Sequence, residues 1–237
     1  MKGIILAGGT GSRMGELCLV TNKHLLPVGE RPMILHLVSK LVDAGVDNIM
    51  VISGTEHMGH IVSLLGSGDK YGCNLTFRIQ DKPDGIAGAL RLCRNFVGSD
   101  DCVVLLGDNM FEDDLSLYIE GFRSSKAGCR LVLKEVPDIQ RFAEAILEND
   151  VIVKVVEKPQ DPVGNLCVVG IYVYDSSVFD VVDDVDRSGR GEYEITTVND
   201  HYVKRGLVEH RNMRGWWSDA GTFESYYAAN KLVRGEE

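Results

Sequence analysis

The sequence lacks several patterns that would place it in other functional classes. None of its six cysteines forms a C-x-x-C pair, so neither a zinc site nor a thioredoxin-like redox motif is expected. It has no Gly-Lys-Ser/Thr triplet, which excludes a P-loop. No apolar run approaches the roughly 20 residues that a membrane helix needs, and the first residues do not resemble a signal peptide. We therefore expect a cytoplasmic protein with reduced thiols and no membrane partner.

Positive charge is scarce in this chain. The 25 Lys and Arg residues stand against 35 Asp and Glu, for a formal net charge of −10. This balance disfavours nucleic acid or an anionic membrane as the main partner. The hydrophobic fraction of 44% over 237 residues is ordinary for a globular protein, and no repeat or linker-like tract divides the chain. We predict a single domain over residues 1–237.

Strand and helix patterns alternate along the first half, and strands dominate the second. The predicted strands cover 3–6, 48–52, 75–79, 102–106, 130–136, 144–147, 151–156 and 168–174. The predicted helices cover 32–44, 60–65, 86–96, 178–185 and 222–233. The alternation predicts an α/β fold with a Rossmann-like, mostly parallel mixed sheet flanked by helices. The strand-rich second half predicts a small β-rich insertion at the carboxyl edge of that sheet.

A run of small residues, 7–13, follows the first strand directly and ends in Arg13. Glycines allow the backbone N–H groups to approach a polyphosphate, and a guanidinium offers a planar fork of donors for phosphate oxygens. Counted from Gly9, the last position of a dinucleotide fingerprint holds Met14 instead of a small residue, which disfavours a nicotinamide-dependent oxidoreductase. The alternative for the glycines alone is an ordinary strand-to-helix turn.

Two aspartates are candidate metal ligands. Asp108 follows the strand over 102–106, and the carboxyl ends of strands are where open α/β sheets bind ligands. Asp219 lies between tryptophans and small residues in 215–222. Two carboxylates with water and phosphate oxygens would form a Mg²⁺ site. The spacing alone does not bring the two together, and each one alone is more typical of a turn or a helix cap than of a metal ligand.

Other polar residues suit a nucleotide and a sugar. Lys158 could hold a phosphate as a point charge, and Glu157 could accept hydrogen bonds from sugar hydroxyls; the alternative is a surface ion pair. Gln80 offers the donor and acceptor that a base edge requires, and Gly85 would let the backbone approach a ring. The alternative for 80–85 is a Pro-Asp-Gly turn.

Seven motifs, in order along the chain, resemble the signature of sugar-1-phosphate nucleotidylyltransferases. The motifs are Gly8 to Arg13, Asn22 to Val28, Arg31 to Ile34, Leu106 to Asn109, Glu157 to Pro159, Arg190 to Thr196 and Trp217 to Thr222. The match is closest to short-form glucose-1-phosphate thymidylyltransferases. In longer members extra helices beyond this length carry an allosteric site, which is therefore not expected here.

The resemblance implies a reaction in which a sugar-1-phosphate oxygen attacks the α-phosphorus of dTTP or UTP and releases pyrophosphate. Glucose 1-phosphate would be the acceptor and Mg²⁺ the cofactor. The role of the enzyme would be to supply a dTDP-sugar for a cell-surface polysaccharide. No protein nucleophile is required, so catalysis would be positioning and charge stabilisation. Relatives are often homo-oligomers, which makes an oligomer possible here.

The same resemblance implies the residue roles. The catalytic residues would be Arg13, Lys23, Asp108 and Lys158, and the metal ligands Asp108 and Asp219. The nucleotide would contact Leu6, Gly8, Gly9, Gly11, Arg13, Gln80 and Gly85. The sugar would contact Asn109, Ala143, Glu157, Lys158 and the backbone of Val168, which assigns the β-rich insertion to sugar binding.

Departures from the family pattern concern the substrate pockets. Ala143-Glu144 stands where the family usually has Gly-Val, so a methyl and a carboxylate near the hexose could change which sugar fits. Val169 replaces a common Thr, and Gly88 a common Gln. The identity of the sugar therefore stays open. The choice between thymine and uracil stays open as well, because the single methyl group by which they differ changes the binding free energy by only about 1–3 kcal/mol in a pocket. The same chemistry with CTP or another sugar phosphate, and a non-catalytic regulatory relative that binds nucleotide-sugars, are the alternatives.

Overall fold

The computed structural model describes residues 1–9, 11–18 and 21–236. Its strands are β1 (Lys2–Ala7), β2 (Pro27–Val28), β3 (Arg31–Pro32), β4 (Asn48–Ser53), β5 (Asn74–Ile79), β6 (Cys102–Leu106), β7 (Met110–Phe111), β8 (Cys129–Glu135), β9 (Ala143–Glu148), β10 (Val151–Glu157), β11 (Leu166–Tyr174), β12 (Val208–Asn212) and β13 (Trp217–Ser218). Its α-helices are α1 (Met33–Asp43), α2 (Met58–Leu65), α3 (Ile86–Arg91), α4 (Arg94–Val97), α5 (Ser116–Ile119), α6 (Val178–Asp183), α7 (Ile195–Lys204) and α8 (Phe223–Arg234).

The chain packs as two compact units, each assembled from separate stretches of sequence. The first unit contains Met1–Pro83, Val104–Leu117 and Gly215–Glu237, and the second contains Asp84–Val103 and Tyr118–Arg214. The single domain over 1–237 stays a prediction. In the described residues no helix is both long and apolar enough to cross a bilayer.

The first unit contains the parallel strands β1, β4 and β5 in that order, and the end of β6 lies beside β1. β1 and β4 are buried along almost their whole length, as expected for strands covered on both faces. The register pairs Leu6 with Ile52, and Ile52 with Arg78. The carboxyl ends of neighbouring strands therefore lie at one edge, where the loops that follow them meet.

Helix α1 shows how the sequence fixes an element of this unit. Five of its apolar residues recur every three or four positions and are buried: Met33, Ile34, Leu37, Val38 and Leu41. Pro32 precedes the first turn, where its missing N–H costs nothing, and Gly45 follows the end with a φ of 76° that only glycine adopts readily.

Helix α8 closes the first unit with a capping box in which Thr222 and Ser225 exchange side-chain and backbone hydrogen bonds. Its Ala229 packs into an apolar cluster with Val28, Met33, Met110 and Ala220. The loop that carries Asp219 is thereby attached to the core of the unit.

The second unit is richer in antiparallel pairing than the first. β9 pairs with β10 and with β11, and β11 also pairs with β8, whereas β12 runs parallel to β8. A fully buried Arg130 holds this unit together, because its guanidinium donates to Glu209 and to the carbonyl of Tyr118. The predicted mostly parallel mixed α/β fold is confirmed.

The prediction of a single helix over 86–96 is wrong. Residues 86–96 form two helices, α3 and α4, because the backbone changes to i→i+3 hydrogen bonds at Leu92 and Cys93. Both residues keep right-handed dihedral angles, so the apolar spacing continues across the break and hides it in the sequence. Helix α7 and strand β12 were missed.

Candidate active site

The loop after β1 packs tightly against its neighbours. A Cβ on Gly8 would lie 2.7 Å from Oε1 of Gln80, and one on Gly11 would lie 2.8 Å from Sγ of Cys18. Gly11 also has a φ of 67°, which L-residues rarely adopt. Thr10 of this motif lies outside the described residues. The structure thus brings together Gly8 and Gln80, two of the residues predicted to bind the nucleotide.

Lys23 and Asp108 form a close, largely buried ion pair. Lys23 Nζ lies 2.5 Å from Asp108 Oδ2, and the two side chains are 8% and 17% exposed. Burial alone would raise the pKa of Asp108, but the Lys23 ammonium and the hydrogen bonds from Lys23 and Asn109 bring that pKa below its usual value. Asp108 is therefore held as a carboxylate.

The backbone around Lys23 is fixed by a buried polar network. Asn22 donates from Nδ2 to the carbonyl of Ala7 at 3.1 Å, and its Oδ1 accepts from the backbone N–H of His24 at 2.9 Å. His24 Nδ1 lies 2.5 Å from the same oxygen, so it carries the proton. Ser53 Oγ also donates to Ala7. Asn22 belongs to a motif identified in the sequence but had no role assigned, and Ser53, the last residue of β4, was missed.

Arg13, Asp108 and Asp219 converge on one point beside Gly221. A Cβ on Gly221 would lie 3.1 Å from Asp219 Oδ2, 3.3 Å from Asp108 Oδ2 and 3.3 Å from Arg13 Nη2. The structure therefore brings together both predicted metal ligands and a predicted phosphate ligand, which their spacing in sequence does not reveal. In the described residues no third His, Cys, Asp or Glu completes a larger metal-binding group.

Asn109 orients Asp108. Trp217 Nε1 donates to Asn109 Oδ1 at 2.7 Å, and Asn109 Nδ2 donates to Asp108 Oδ1 at 3.0 Å. With Lys23 on Oδ2, both oxygens of this carboxylate have a donor. The pairing of Trp217 with Phe111 in a short two-stranded ladder connects the two aspartate loops. Sequence reasoning missed this role of Trp217.

A cavity of about 150 Å³ adjoins Gly8 and Gln80. Its wall also includes the loop after β4, among others Thr55 and His57, which sequence reasoning did not connect with the nucleotide. The signal was available, since this loop leaves the carboxyl end of the strand next to β1. His57 and His60 stack with ring centroids 6.0 Å apart.

Gly85 lies in the second unit, where its lack of a side chain lets the backbone of Tyr193 approach closely. A Cβ there would lie 2.5 Å from the carbonyl oxygen of Tyr193, and the φ of Gly85 is 101°. Tyr193 is itself held between the guanidinium groups of Arg91 and Arg187. The structure thus explains this glycine by the approach of Tyr193, whereas the sequence suggested the approach of a base.

Three predicted sugar residues form one row across the sheet of the second unit. Ala143 on β9 pairs with Glu157 on β10 and with Val168 on β11. Lys158 follows Glu157 immediately, with its N–H bonded to the carbonyl of Phe142 at 2.9 Å. Lys158 has a φ of 44°, which is uncommon for a side-chain-bearing residue and marks a constrained position.

Glu157 is held by Arg190. Burial raises the pKa of Glu157, and the nearby guanidinium opposes this effect. Arg190 Nη2 lies 3.2 Å from Glu157 Oε1 and is itself fixed by two contacts with Glu194 of 2.8 and 2.9 Å. Residues 190–196 were identified in the sequence only as a motif. The structure shows that Arg190 holds Glu157 and that Glu194 holds Arg190.

The expectation that Glu144 presents its carboxylate to a sugar beside Ala143 is wrong. Successive residues of a strand point to opposite faces, and Glu144 is buried with its Oε1 bonded to the backbone N–H groups of Val163 and Gly164.

These geometries agree with the comparison to known protein families. The nucleotidyl transferase model matches residues 2–236. The chain belongs to the nucleotidyl transferase family. The resemblance predicted from the seven motifs is thereby confirmed, and proteins of this family generally depend on a divalent metal.

Individual nucleotidyl transferases are similar over nearly the whole chain. A low-salt glycan biosynthesis nucleotidyltransferase of Haloferax volcanii is 37% identical over 98% of this chain and 66% of its own length. A glucose-1-phosphate thymidylyltransferase of Mycolicibacterium smegmatis is 36% identical over 99% of this chain and 82% of its own.

Solved structures agree with this assignment. A Bacillus anthracis protein described as a candidate glucose-1-phosphate thymidylyltransferase, crystallised with sucrose, is 51% identical with a TM-score of 0.96 over 100% of this chain and 96% of its own. A UDP-glucose pyrophosphorylase bound to UDP-glucose shares the fold at 20% identity, with a TM-score of 0.85 over 99% and 98% of the two chains.

Proposed function

We propose that this nucleotidyl transferase joins the thymidylyl group of dTTP to glucose 1-phosphate and releases pyrophosphate. The observation that carries the proposal is the convergence of Arg13, Asp108 and Asp219 on one point, with Lys23 paired to Asp108. Two cationic and two anionic side chains at the carboxyl edge of a parallel sheet suit a metal–polyphosphate ligand. The thymidylyltransferases among the similar proteins support the choice of substrates.

Mg²⁺ is the metal we propose, and Asp108 and Asp219 would hold it. Hard carboxylate oxygens fit this ion, and Mg²⁺ usually takes only one or two protein carboxylates besides water and phosphate oxygens. When bound, the metal would withdraw charge from the α-phosphate oxygens and orient them.

The protein's own side chains would supply position and charge. Arg13 and Lys23 would neutralise the triphosphate and the leaving pyrophosphate. Lys23 also keeps Asp108 ionised, and Asn109 sets the plane of its carboxylate. Lys158 would hold the sugar phosphate as a point charge.

The nucleotide and sugar contacts follow the predicted residues. Gly8, Gly9, Gly11 and Gln80, with the backbone of Leu6, would seat the nucleotide. Ala143, Glu157 and Val168 would contact the sugar. A cytoplasmic enzyme that supplies nucleotide-sugar for a surface glycan is the role we propose. The name of the Haloferax volcanii relative, a glycan biosynthesis nucleotidyltransferase, supports the link to a glycan. A homo-oligomer stays a prediction.

The test is pyrophosphate release in a grid of dTTP, UTP, CTP, ATP and GTP against glucose 1-phosphate and other sugar 1-phosphates. We expect the highest kcat/KM with dTTP and glucose 1-phosphate, loss of turnover with EDTA and recovery with Mg²⁺. Release with another pair only would overturn the substrate assignment while keeping the chemistry. Nucleotide-sugar binding without release from any pair would favour a non-catalytic relative.

The catalytic centre is tested by Asp108→Asn, which removes charge at nearly constant volume. We expect turnover to fall about a thousandfold, or about 4 kcal/mol in the barrier, with an unchanged circular dichroism spectrum. Asp69→Asn, an exposed aspartate of the same unit, is the matched control and should keep full activity. Activity of Asp108→Asn close to that of the control would refute the assignment.

A further inference from the structure

Glu144 is a buried carboxylate outside the predicted catalytic set. It is 1% exposed, and its Oε1 lies 2.9 Å from the backbone nitrogen of Val163 and 2.5 Å from that of Gly164. A buried charge is costly unless donors compensate it, and two N–H groups converging on one oxygen do so here. The contact crosses from β9 to residues 160–165, a segment that we name the strap.

Apart from these two hydrogen bonds, few contacts hold the middle of the strap in place. Its residues are exposed except for the partly buried Pro162, and Val163 is 77% exposed. A cavity of about 190 Å³ lies where the strap meets β9, so apolar packing does not fill that space. At the far end of the strap, the carbonyl of Asn165 accepts from Val136 at 2.9 Å. The two bonds to Glu144 are therefore the main attachment of the residues between.

The strap joins two parts of the proposed sugar site. It begins after Lys158 and Pro159, and it leads into β11, where Val168 pairs with Ala143. Glu144 itself pairs with Cys167. One carboxylate thus anchors the chain that connects Lys158 to Val168.

We propose that Glu144 is a positioning residue for the sugar phosphate: it fastens the strap and so fixes Lys158 and Val168. The proposal rests on the proposed function for the identity of the ligand. A valine at this position would leave the N–H groups of Val163 and Gly164 without this acceptor.

The kinetic test compares Glu144→Val and Glu144→Gln with Glu148→Val, an exposed glutamate at the end of the same strand. Loosening the strap in Glu144→Val should raise KM for glucose 1-phosphate about tenfold while KM for dTTP and the melting temperature change little. Glu144→Gln keeps an oxygen acceptor and should stay within about twofold of the wild type. Glu148→Val should behave as the wild type.

Amide hydrogen exchange gives a second readout that does not depend on turnover. In Glu144→Val, the amides of Val163 and Gly164 should exchange about tenfold faster or more, with little change elsewhere in β9. Unchanged exchange there would overturn the anchor, and faster exchange with an unchanged sugar KM would overturn the positioning role. If the wild type has no turnover, the proposed function fails, and glucose 1-phosphate binding by calorimetry replaces KM in the same comparison.

Discussion

His24 and Asn22 flank Lys23 in sequence and hold each other by hydrogen bonds, so buried contacts fix the turn that carries this lysine. His24 is completely buried, and burial, helped by the Lys23 charge, lowers its pKa to about 3. The unfolded chain would carry this histidine near its ordinary value of about 6.5. Between these two pH values the unfolded state binds a proton that the folded state does not, so His24 makes the protein less stable as pH falls below about 6.5.

We therefore expect His24→Gln to flatten the acid side of the stability curve. From pH 7 to pH 5, the free energy of unfolding of the wild type should fall more steeply than that of the variant, by up to about 1.4 kcal/mol per pH unit. Urea denaturation at each pH measures this difference, and other titrating groups cancel in the subtraction. Parallel curves for the two proteins would contradict a buried neutral His24.

Trp217 acts on the proposed metal site through a single N–H group. Trp217→Phe keeps an aromatic ring but leaves the buried Oδ1 of Asn109 without its 2.7 Å donor, at a cost of about 1–3 kcal/mol. We expect Mn²⁺ affinity, measured by electron paramagnetic resonance, and turnover both to fall about tenfold, which corresponds to about 1.4 kcal/mol.

The neighbouring tryptophan supplies the control. Trp216 packs against the apolar cluster that contains Val28 and Ala229, so Trp216→Phe should lower the melting temperature and leave Mn²⁺ affinity unchanged. Equal effects of the two substitutions on Mn²⁺ affinity would mean that ring packing, and not the indole N–H, orients Asn109.

At the scale of elements, the exit of β6 depends on a glycine. Gly107 donates to the carbonyl of Leu6 at 2.8 Å, and a Cβ on it would lie 2.8 Å from that same oxygen and 2.6 Å from Cδ2 of His24. Backbone cannot move aside without breaking the bond between β6 and β1, so Gly107→Ala should lower the free energy of unfolding by about 1–3 kcal/mol and impair turnover through Asp108.

Gly59→Ala is the counterpart at an exposed position of α2. Nothing lies within 4 Å of a Cβ on Gly59 in α2, so this substitution should raise the free energy of unfolding by about 0.5–1 kcal/mol. Chemical denaturation measures both variants. If Gly107→Ala left the free energy of unfolding unchanged, the backbone after β6 would have more room than these distances indicate.

Elements were predictable from sequence where one periodic pattern decided them. The continuous apolar run of a strand buried on both faces predicts β6 with the bounds that are observed. The spacing of apolar residues predicts α1 to within one residue at each end. β12 was missed because its sequence, Val-Glu-His-Arg-Asn, is polar and is held by its ladder with β8. The split of α3 from α4 is a change of hydrogen bonding that leaves no trace in the apolar spacing.

The residues of the candidate site could be predicted from the sequence, but the contacts between them could not. The motifs named Arg13, Asp108 and Asp219, but the convergence on Gly221 depends on how the loops after β1, β6 and β13 fold. The role of Glu144 could not be predicted, because its partners are backbone N–H groups of a segment about twenty residues away, and a backbone donor has no signature in sequence.

At the scale of the whole molecule, the predicted substrate contacts divide between the two units. The nucleotide and metal residues lie in the first unit except for Gly85, and the sugar residues lie in the second except for Asn109. If the proposed function is right, each substrate should protect mainly its own unit from amide exchange. The nonhydrolysable analogue of dTTP with Mg²⁺ should slow exchange in residues 11–18 and 107–109, and glucose 1-phosphate should slow it in 157–168.

The same experiment on Lys158→Ala separates the two substrates. Lys158 is 48% exposed with its ammonium 3.9 Å from Glu157, so its removal should cost little stability. The variant should lose the protection of 157–168 by glucose 1-phosphate and keep the protection of 11–18 by the dTTP analogue. Loss of both would show that Lys158 contributes to nucleotide binding, and the division of substrates between units would be wrong.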